Sequence, residues 1–276
     1  MTIAAPQQDS RFPGITPANR SERVYSFFQI YNERLFRKSF NGVRVARGTE
    51  RVLANANDGD HLLIVLLNHS SWWDPLLPML MERRFVTNRV GFAPIDNDML
   101  KKFVFFRRLG LFGVDLDLRA SLDAMVRYVR TLRDEHGRIA LWLTPQGEFA
   151  DPRAPIRLRP GAAAVASRVP ASSAGVRAVS MSIEYAFWID KNPEALVRFH
   201  EVETPERTTT AGWQRAMTRA MTENRDALAE LAISRDPEAF MNLTEGRGSK
   251  TNPLYDLWLR LRGRDASIET RRPAGN

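Results

Sequence analysis

The sequence contains no cysteine, so disulfides, thiolate metal ligands and a cysteine nucleophile are all excluded. Histidine is scarce as well: the four histidines are His61, His69, His136 and His200. No two of them have the spacing of a pair of metal ligands, so we expect no zinc site and no other bound metal.

Long apolar runs are also missing. The run Leu62–Leu67 is far shorter than the roughly 18 residues that a transmembrane helix needs. The first 17 residues contain no apolar segment of the kind found in signal peptides. We therefore expect a cytoplasmic protein.

Acidic residues are too few to balance the basic ones, because 40 Lys and Arg stand against 32 Asp and Glu, giving a net charge of +8. This balance favours anionic partners such as phosphorylated substrates, acidic carrier proteins, nucleic acid or an anionic membrane surface. Nucleic acid is the weakest of these candidates. The basic residues are dispersed, and neither a helix-turn-helix pattern nor an aromatic–basic binding motif is present.

A chain of 276 residues that is 43% hydrophobic can bury one substantial core. It contains no internal repeat and no low-complexity tract. We expect one domain over residues 21–262, a disordered N-terminal tail over 1–20 that is rich in Pro, Gln and Asn, and a disordered C-terminal tail over 263–276.

Hydrophobic periodicity indicates alternating strands and helices between residues 61 and 144, which predicts an α/β fold with a largely parallel sheet flanked by helices. Two later strands are predicted to form a hairpin. Residues 48–50 and 54–59 are predicted to be turns, and residues 235–249 a loop. The predicted strands are 43–47, 62–67, 90–94, 114–118, 139–143, 178–188 and 195–202. The predicted helices are 21–41, 76–84, 99–106, 122–135, 161–167, 213–232 and 253–261.

The first predicted helix is amphipathic and aromatic. Its apolar residues recur at spacings of three and four, and basic residues flank them. Two interpretations are compatible: a helix packed on the domain, or an interfacial helix with aromatics in lipid and basic side chains at the headgroups. The apolar positions are Val24, Phe27, Phe28, Tyr31, Leu35 and Phe36, and the basic ones include Arg34, Arg37 and Lys38.

The main candidate site follows the apolar strand, where Asn68 and His69 are separated by four residues from Asp74. Histidine is the usual proton acceptor near neutral pH, and a carboxylate on one ring nitrogen fixes its tautomer. Asp74 before a proline is also typical of a helix N-cap. A nucleophilic Ser70 or Ser71 is a weaker alternative, because no Gly-x-Ser-x-Gly pattern surrounds them.

Two further segments carry candidate binding residues. Gly113 precedes a predicted strand and Arg119 follows it, so a guanidinium suited to phosphate lies at the same sheet edge if the strands are parallel. Another strand ends at the turn Pro145, Gln146 and Gly147, which lets backbone approach a ligand closely. Basic side chains follow this turn at Arg153, Arg157 and Arg159.

Together, these blocks resemble the glycerolipid acyltransferases typified by bacterial 1-acylglycerol-3-phosphate acyltransferases, over about residues 20–190. Asn68-His69-x4-Asp74 is similar to the first motif of that family and Gly113-x5-Arg119 to the second. Pro145-x-Gly147 lies where the third motif, Pro-Glu-Gly-Thr-Arg, is expected. Arg159-Pro-Gly161 and the lead-in Val45-x2-Gly48-x-Glu50 are similar to flanking parts of the pattern.

The resemblance implies acyl transfer from acyl-CoA or acyl-carrier protein to a hydroxyl of a lipid acceptor. His69 would be the general base and Asp74 would orient it. Substrate contacts would come from Asn68, Gly113, Arg119, the turn Pro145–Gln146–Gly147, and Arg159. It implies no metal, no cofactor besides the donor and no covalent intermediate, and a peripheral position on an anionic membrane.

One departure concerns the acceptor. Gln146 replaces the third motif's Glu and Phe149 replaces its Arg, residues that the family associates with the acceptor's polar head. We therefore hypothesise a less anionic acceptor, such as a lysolipid with another head group or a glycosylated lipid, unless Arg153 or Arg159 restores the cation. The alternative is a non-catalytic lipid- or membrane-binding protein that retains the fold.

Overall fold

The computed structural model describes residues 10–169, 175–188, 190–246 and 262. Within them the chain forms an α/β structure around a sheet of nine strands, which confirms the predicted fold class. The strand order is β1-β5-β4-β6-β3-β7-β8-β2-β9. The strands are β1 (Ile15–Thr16), β2 (Gly42–Ala46), β3 (Leu62–Leu67), β4 (Val90–Asp96), β5 (Leu111–Val114), β6 (Ile139–Leu143), β7 (Val176–Ala186), β8 (Glu194–Val202) and β9 (Phe240–Glu245).

The five strands β5, β4, β6, β3 and β7 are parallel, with β3 between β6 and β7. Every residue of β3 is buried. A parallel sheet covered on both faces requires such a continuously apolar strand. Because the carboxyl ends of these strands share one edge, the segments that follow them are brought together.

Seven helices cover the two faces in the described part of the chain: α1 (Glu22–Ser39), α2 (Glu50–Asn57), α3 (Leu77–Phe85), α4 (Asn97–Lys102), α5 (Ala120–His136), α6 (Gly161–Arg168) and α7 (Thr210–Ser234). The alternation of side chains along β3 divides the core. Leu62, Ile64 and Leu66 pack with α5, α6 and α7, whereas Leu63 and Val65 pack with α1, α2 and α3.

The predicted N-terminal tail is wrong for residues 10–20. Phe12 and Ile15 are buried, and β1 pairs antiparallel with β5. Because β1 pairs with a strand that is distant in sequence, it leaves no local periodic signal. The prediction of disorder from composition was therefore wrong for this segment. The predicted helix over 253–261 and the tail over 263–276 lie outside the described residues.

Several other boundaries differ from the predictions. Residues 54–57 end helix α2 rather than forming a turn, and β9, which pairs antiparallel with β2, lies where a loop was expected. The predicted strand over 114–118 ends at Val114, because Asp115 Oδ1 accepts hydrogen bonds from Asp117 N and Leu118 N and closes a turn. The predicted helix over 99–106 divides into α4 and a 3-10 helix, Val104–Leu109.

Helix α1 is held on the domain by one face and exposes another. The buried Tyr25 hydroxyl donates to Glu82 of α3, and Asn32 Nδ2 donates to the carbonyl of Leu76 at 2.8 Å. The opposite face exposes Phe27, Ile30 and Tyr31. The sequence predicted a single apolar face for this helix. In the structure, some of its apolar side chains pack on the domain and others are exposed to solvent.

Candidate active site

The turn after β3 begins where side-chain hydrogen bonds replace the sheet ladder. Asn68 Oδ1 accepts from Ile183 N at 2.7 Å, and Asn68 Nδ2 donates to Ile183 O at 2.9 Å. The buried Asn68 side chain thus mimics one more residue of strand pairing with β7. The main chain can then leave the sheet, and His69 stands at its carboxyl edge.

His69 and Asp74 are brought together by this turn. His69 Nδ1 lies 3.0 Å from Asp74 Oδ2; the imidazole is 18% exposed and the carboxylate is fully buried. A carboxylate is an acceptor only, so Nδ1 carries the hydrogen and Nε2 is left with a free lone pair. The pair therefore has the arrangement of a general base with an orienting carboxylate.

The buried Asp74 carboxylate accepts hydrogen bonds at both of its oxygens. Its Oδ2 accepts from Ser70 N at 2.6 Å and Ser71 N at 2.8 Å, and its Oδ1 accepts from the Tyr185 hydroxyl at 2.7 Å. The predicted N-cap role is wrong, since these amides belong to the preceding turn and no side-chain cap is found on the 3-10 helix Asp74–Leu76. The carboxylate instead fixes the His69 turn.

The segment after β6 holds His69 from the other side. Gln146 Oε1 accepts from His69 N at 3.2 Å, and Ala150 N donates to His69 O at 2.8 Å. The Phe149 ring lies over the imidazole, with centroids 4.1 Å apart and planes at 30°. The replacement of the expected arginine therefore places an apolar ring directly on the candidate base.

Gly147 and Arg159 form one unit within this segment. Gly147 has φ +71°, and a Cβ there would lie 2.6 Å from Arg159 Nε, so a side chain would displace the guanidinium. Arg159 N donates to Pro145 O at 2.8 Å. Three predicted residues are thus joined beside His69, with Arg159 exposed at the rim.

Gly113 lies in β5 and Arg119 follows it, and β5 is not adjacent to β3 in the sheet. Strand β5 is separated from β3 by β4 and β6, which corresponds to about 14 Å at the usual strand spacing. Gly113 is packed against Asn97, because a Cβ would lie 1.9 Å from Asn97 Oδ1. Arg119 is exposed and follows β5 at the same edge of the parallel sheet.

Arg153, considered as a replacement cation, already has a partner. Its guanidinium forms an ion pair with the buried Glu184 carboxylate. This pairing raises the pKa of Arg153 through the hydrogen bond and charge of Glu184. Arg153 is therefore partly neutralised, which leaves Arg159 and Arg119 as the better candidates for an anionic group.

Tyr185 is the site residue that sequence reasoning missed. It lies in a strand predicted only from its apolar alternation, and no motif marks it. Burial, followed by the charge and hydrogen bond of Asp74, raises the pKa of the Tyr185 phenol well above its ordinary value. The phenol therefore stays protonated and keeps donating to Asp74.

A cavity of about 370 Å³ adjoins the turn. Ser70, Ser71 and Tyr185, which touch or flank Asp74, form part of its wall. Among the described residues, no charged side chain lines it, and its size lies in the range typical of ligand sites. The other lining residues are Phe40, Trp73, Pro152, Phe187 and Pro193.

Within the described residues, clustered metal ligands and long apolar helices are both missing. No group of three or more His, Asp or Glu side chains there is arranged to hold a metal ion. None of the helices within this part of the chain combines the length and apolarity needed to cross a bilayer.

The fold and the site define an α/β protein with a His–Asp pair at the carboxyl edge of a parallel sheet. One solved structure to which the chain is similar is the 1-acyl-sn-glycerophosphate (LPA) acyltransferase PlsC from Thermotoga maritima, at 16% sequence identity and a TM-score of 0.52. The match covers 74% of this chain and 79% of that chain. This likeness shows a shared fold. No protein-family model matches the chain, and neither does any curated protein.

Proposed function

We propose that this protein is an O-acyltransferase that moves a fatty acyl group from acyl-CoA or acyl-carrier protein to a hydroxyl of a lipid acceptor. The observation that carries the proposal is the 3.0 Å contact between His69 Nδ1 and Asp74 Oδ2. It occurs at the end of a buried strand in a fold shared with a lysophosphatidic acid acyltransferase.

In the proposed reaction, His69 Nε2 takes the proton of the acceptor hydroxyl as its oxygen attacks the thioester carbonyl. Asp74 stabilises the imidazolium that forms. The tetrahedral intermediate then collapses, the C–S bond breaks, and the leaving sulfur takes the proton from His69. The acyl group passes directly between substrates, so the step requires neither an acyl-enzyme nor a metal.

The surroundings of His69 support an acceptor that is less anionic than lysophosphatidic acid. Phe149 covers the imidazole, Gln146 is neutral, and Arg153 is paired with Glu184. Arg159, the remaining cation of this segment, lies against Gly147 at the exposed rim. An apolar ring at the base offers no bidentate partner to a phosphate. We therefore propose a lysolipid with another head group, or a glycosylated lipid, as the acceptor.

We expect the purified protein to acylate uncharged lipid alcohols in preference to lysophosphatidic acid, with either donor supplied. In the Phe149→Arg variant, a restored guanidinium should raise kcat/KM for lysophosphatidic acid by about tenfold, the effect of one charge-assisted hydrogen bond. Ile233→Arg is the matched control, because it adds the same charge at an exposed position on α7. A strong preference of the wild-type protein for lysophosphatidic acid would contradict the proposed acceptor class.

We also propose that the protein works in the cytoplasm as a peripheral protein on an anionic membrane. The exposed stripe Phe27, Ile30 and Tyr31 lies between Arg23 and Arg34, which are exposed as well. Phe28 of the same helix contacts Phe105, with ring centroids 5.7 Å apart. The stripe is thereby joined to the exposed Phe105, which lies in the segment between α4 and β5.

The double substitution Phe27→Asp and Ile30→Asp should weaken binding to anionic phosphatidylglycerol vesicles by about 100-fold. Burial of each apolar side chain contributes roughly 1.5 kcal/mol, or about tenfold, to such binding. Vesicle flotation measures the change. Ile233→Asp, an equally exposed apolar position on α7, should leave binding unaltered; equal loss in both variants would argue against α1 as the docking element.

A further inference from the structure

We propose that Tyr185 is a positioning residue that adjusts the basicity of His69 by drawing charge from Asp74. The inference rests on the proposed function, because it assigns Tyr185 a part in the same proton transfer.

The position of Tyr185 follows from the unequal lengths of two neighbouring strands. In the parallel pairing of β3 and β7, Leu67 lies opposite Met181, and β7 continues to Ala186. The last residues of β7 therefore extend beyond the end of β3 and overhang the His69 turn. Ile183 in this extension is bound by Asn68, and Tyr185 points to the same face two residues later.

The hydrogen bonds to Asp74 are divided unequally between its two oxygens. Oδ2 receives His69 Nδ1 and the amides of Ser70 and Ser71. Among the described residues, Tyr185 is the donor found at Oδ1, at 2.7 Å. The phenol thus holds the carboxylate in the rotation that presents Oδ2 to His69.

A donor at Oδ1 also withdraws negative charge from Oδ2. Without it, more charge stays beside the imidazole, and the imidazolium is stabilised to higher pH. Among the described residues, the charged groups of the adjoining segments are Glu148 and Asp151, the Arg153–Glu184 pair, and Arg159 against Gly147. None of these groups is altered when the phenol hydroxyl alone is removed, so a shift can be assigned to Tyr185.

The test is Tyr185→Phe, which keeps the ring in the cavity wall and removes only the hydroxyl. We expect the acidic limb of the kcat/KM profile, and the NMR titration of the His69 imidazole, to move up by roughly 0.5–1 pH unit. At pH 7, kcat/KM should fall by at most about three- to tenfold, because such a shift lowers the fraction of neutral imidazole by no more than that factor. Tyr25→Phe is the matched control, because it also removes a buried phenol that donates to a carboxylate, that of Glu82, and it should move neither midpoint.

A lower rate in Tyr185→Phe with both midpoints unmoved overturns the proposal, since a purely structural role lowers the rate alone. If that variant does not fold, 3-fluorotyrosine at position 185, a stronger donor, should move the His69 titration to lower pH, and an unmoved titration overturns the proposal. The NMR titration needs no substrate. A wild-type protein without acyl transfer therefore refutes the proposed function separately, while the titration still decides the role of Tyr185.

Discussion

Replacement of His69 by alanine should lower the rate of acyl transfer by about 10³-fold or more, the usual contribution of a general base together with its orienting partner. His69 is the titratable group that reaches the open side of the turn, since Asp74 is fully buried. Its removal leaves no other base within the pair. The measurement is kcat for acyl transfer to the best acceptor, with thermal unfolding recorded in parallel.

The matched control is His200→Ala. His200 lies on β8 and pairs with Glu223 of α7, with Nε2 and Oε2 3.3 Å apart, so the same side chain is lost away from the turn. Acyl transfer should stay within about twofold of wild type in this variant, as expected for a surface substitution. Full acyl transfer in His69→Ala would refute His69 as the general base. A wild-type protein that binds lipid without acyl transfer, and a His69→Ala variant that binds lipid equally well, would favour the non-catalytic alternative.

Asp74→Asn should have the second largest effect, a loss of about 10²–10⁴ in kcat, because an amide cannot hold the required tautomer as a carboxylate does. The substitution should also destabilise the turn that carries His69. The amides of Ser70 and Ser71 both donate to Asp74 Oδ2, and an NH₂ group facing them leaves these partly buried donors unpaired, at about 1 kcal/mol each. A lower melting temperature should therefore accompany the loss of rate.

Asp98→Asn is the control for Asp74→Asn. Asp98 is exposed on α4 and pairs with Lys101 at 2.8 Å, so its neutralisation should change neither rate nor melting temperature appreciably. In the double variant His69→Ala/Asp74→Asn, the loss of rate should equal that of His69→Ala alone, because the two residues act as one unit. Additive losses would show that Asp74 contributes through a route independent of His69.

Much of the fold followed from local patterns. The uninterrupted apolar run Leu62–Leu67 has the length and composition expected of an interior strand, and strands alternating with amphipathic helices implied a parallel sheet. Strands β1 and β9 were not predicted, because local patterns do not mark them. Both are edge strands of the sheet, and β1 has only two residues. Such strands are stabilised by pairing with strands that are distant in sequence, so their own residues do not show that they will be extended.

For the site, the sequence by itself determined that a histidine stands at the end of a buried strand, five residues before an aspartate. The apolar run before His69 and the proline after Asp74 allowed the turn to be predicted from the sequence. Only the tertiary structure decided that Tyr185 binds Asp74 and that Phe149 covers His69. These contacts join segments 80 or more residues apart, and their geometry depends on strand order and on how far β7 extends beyond β3.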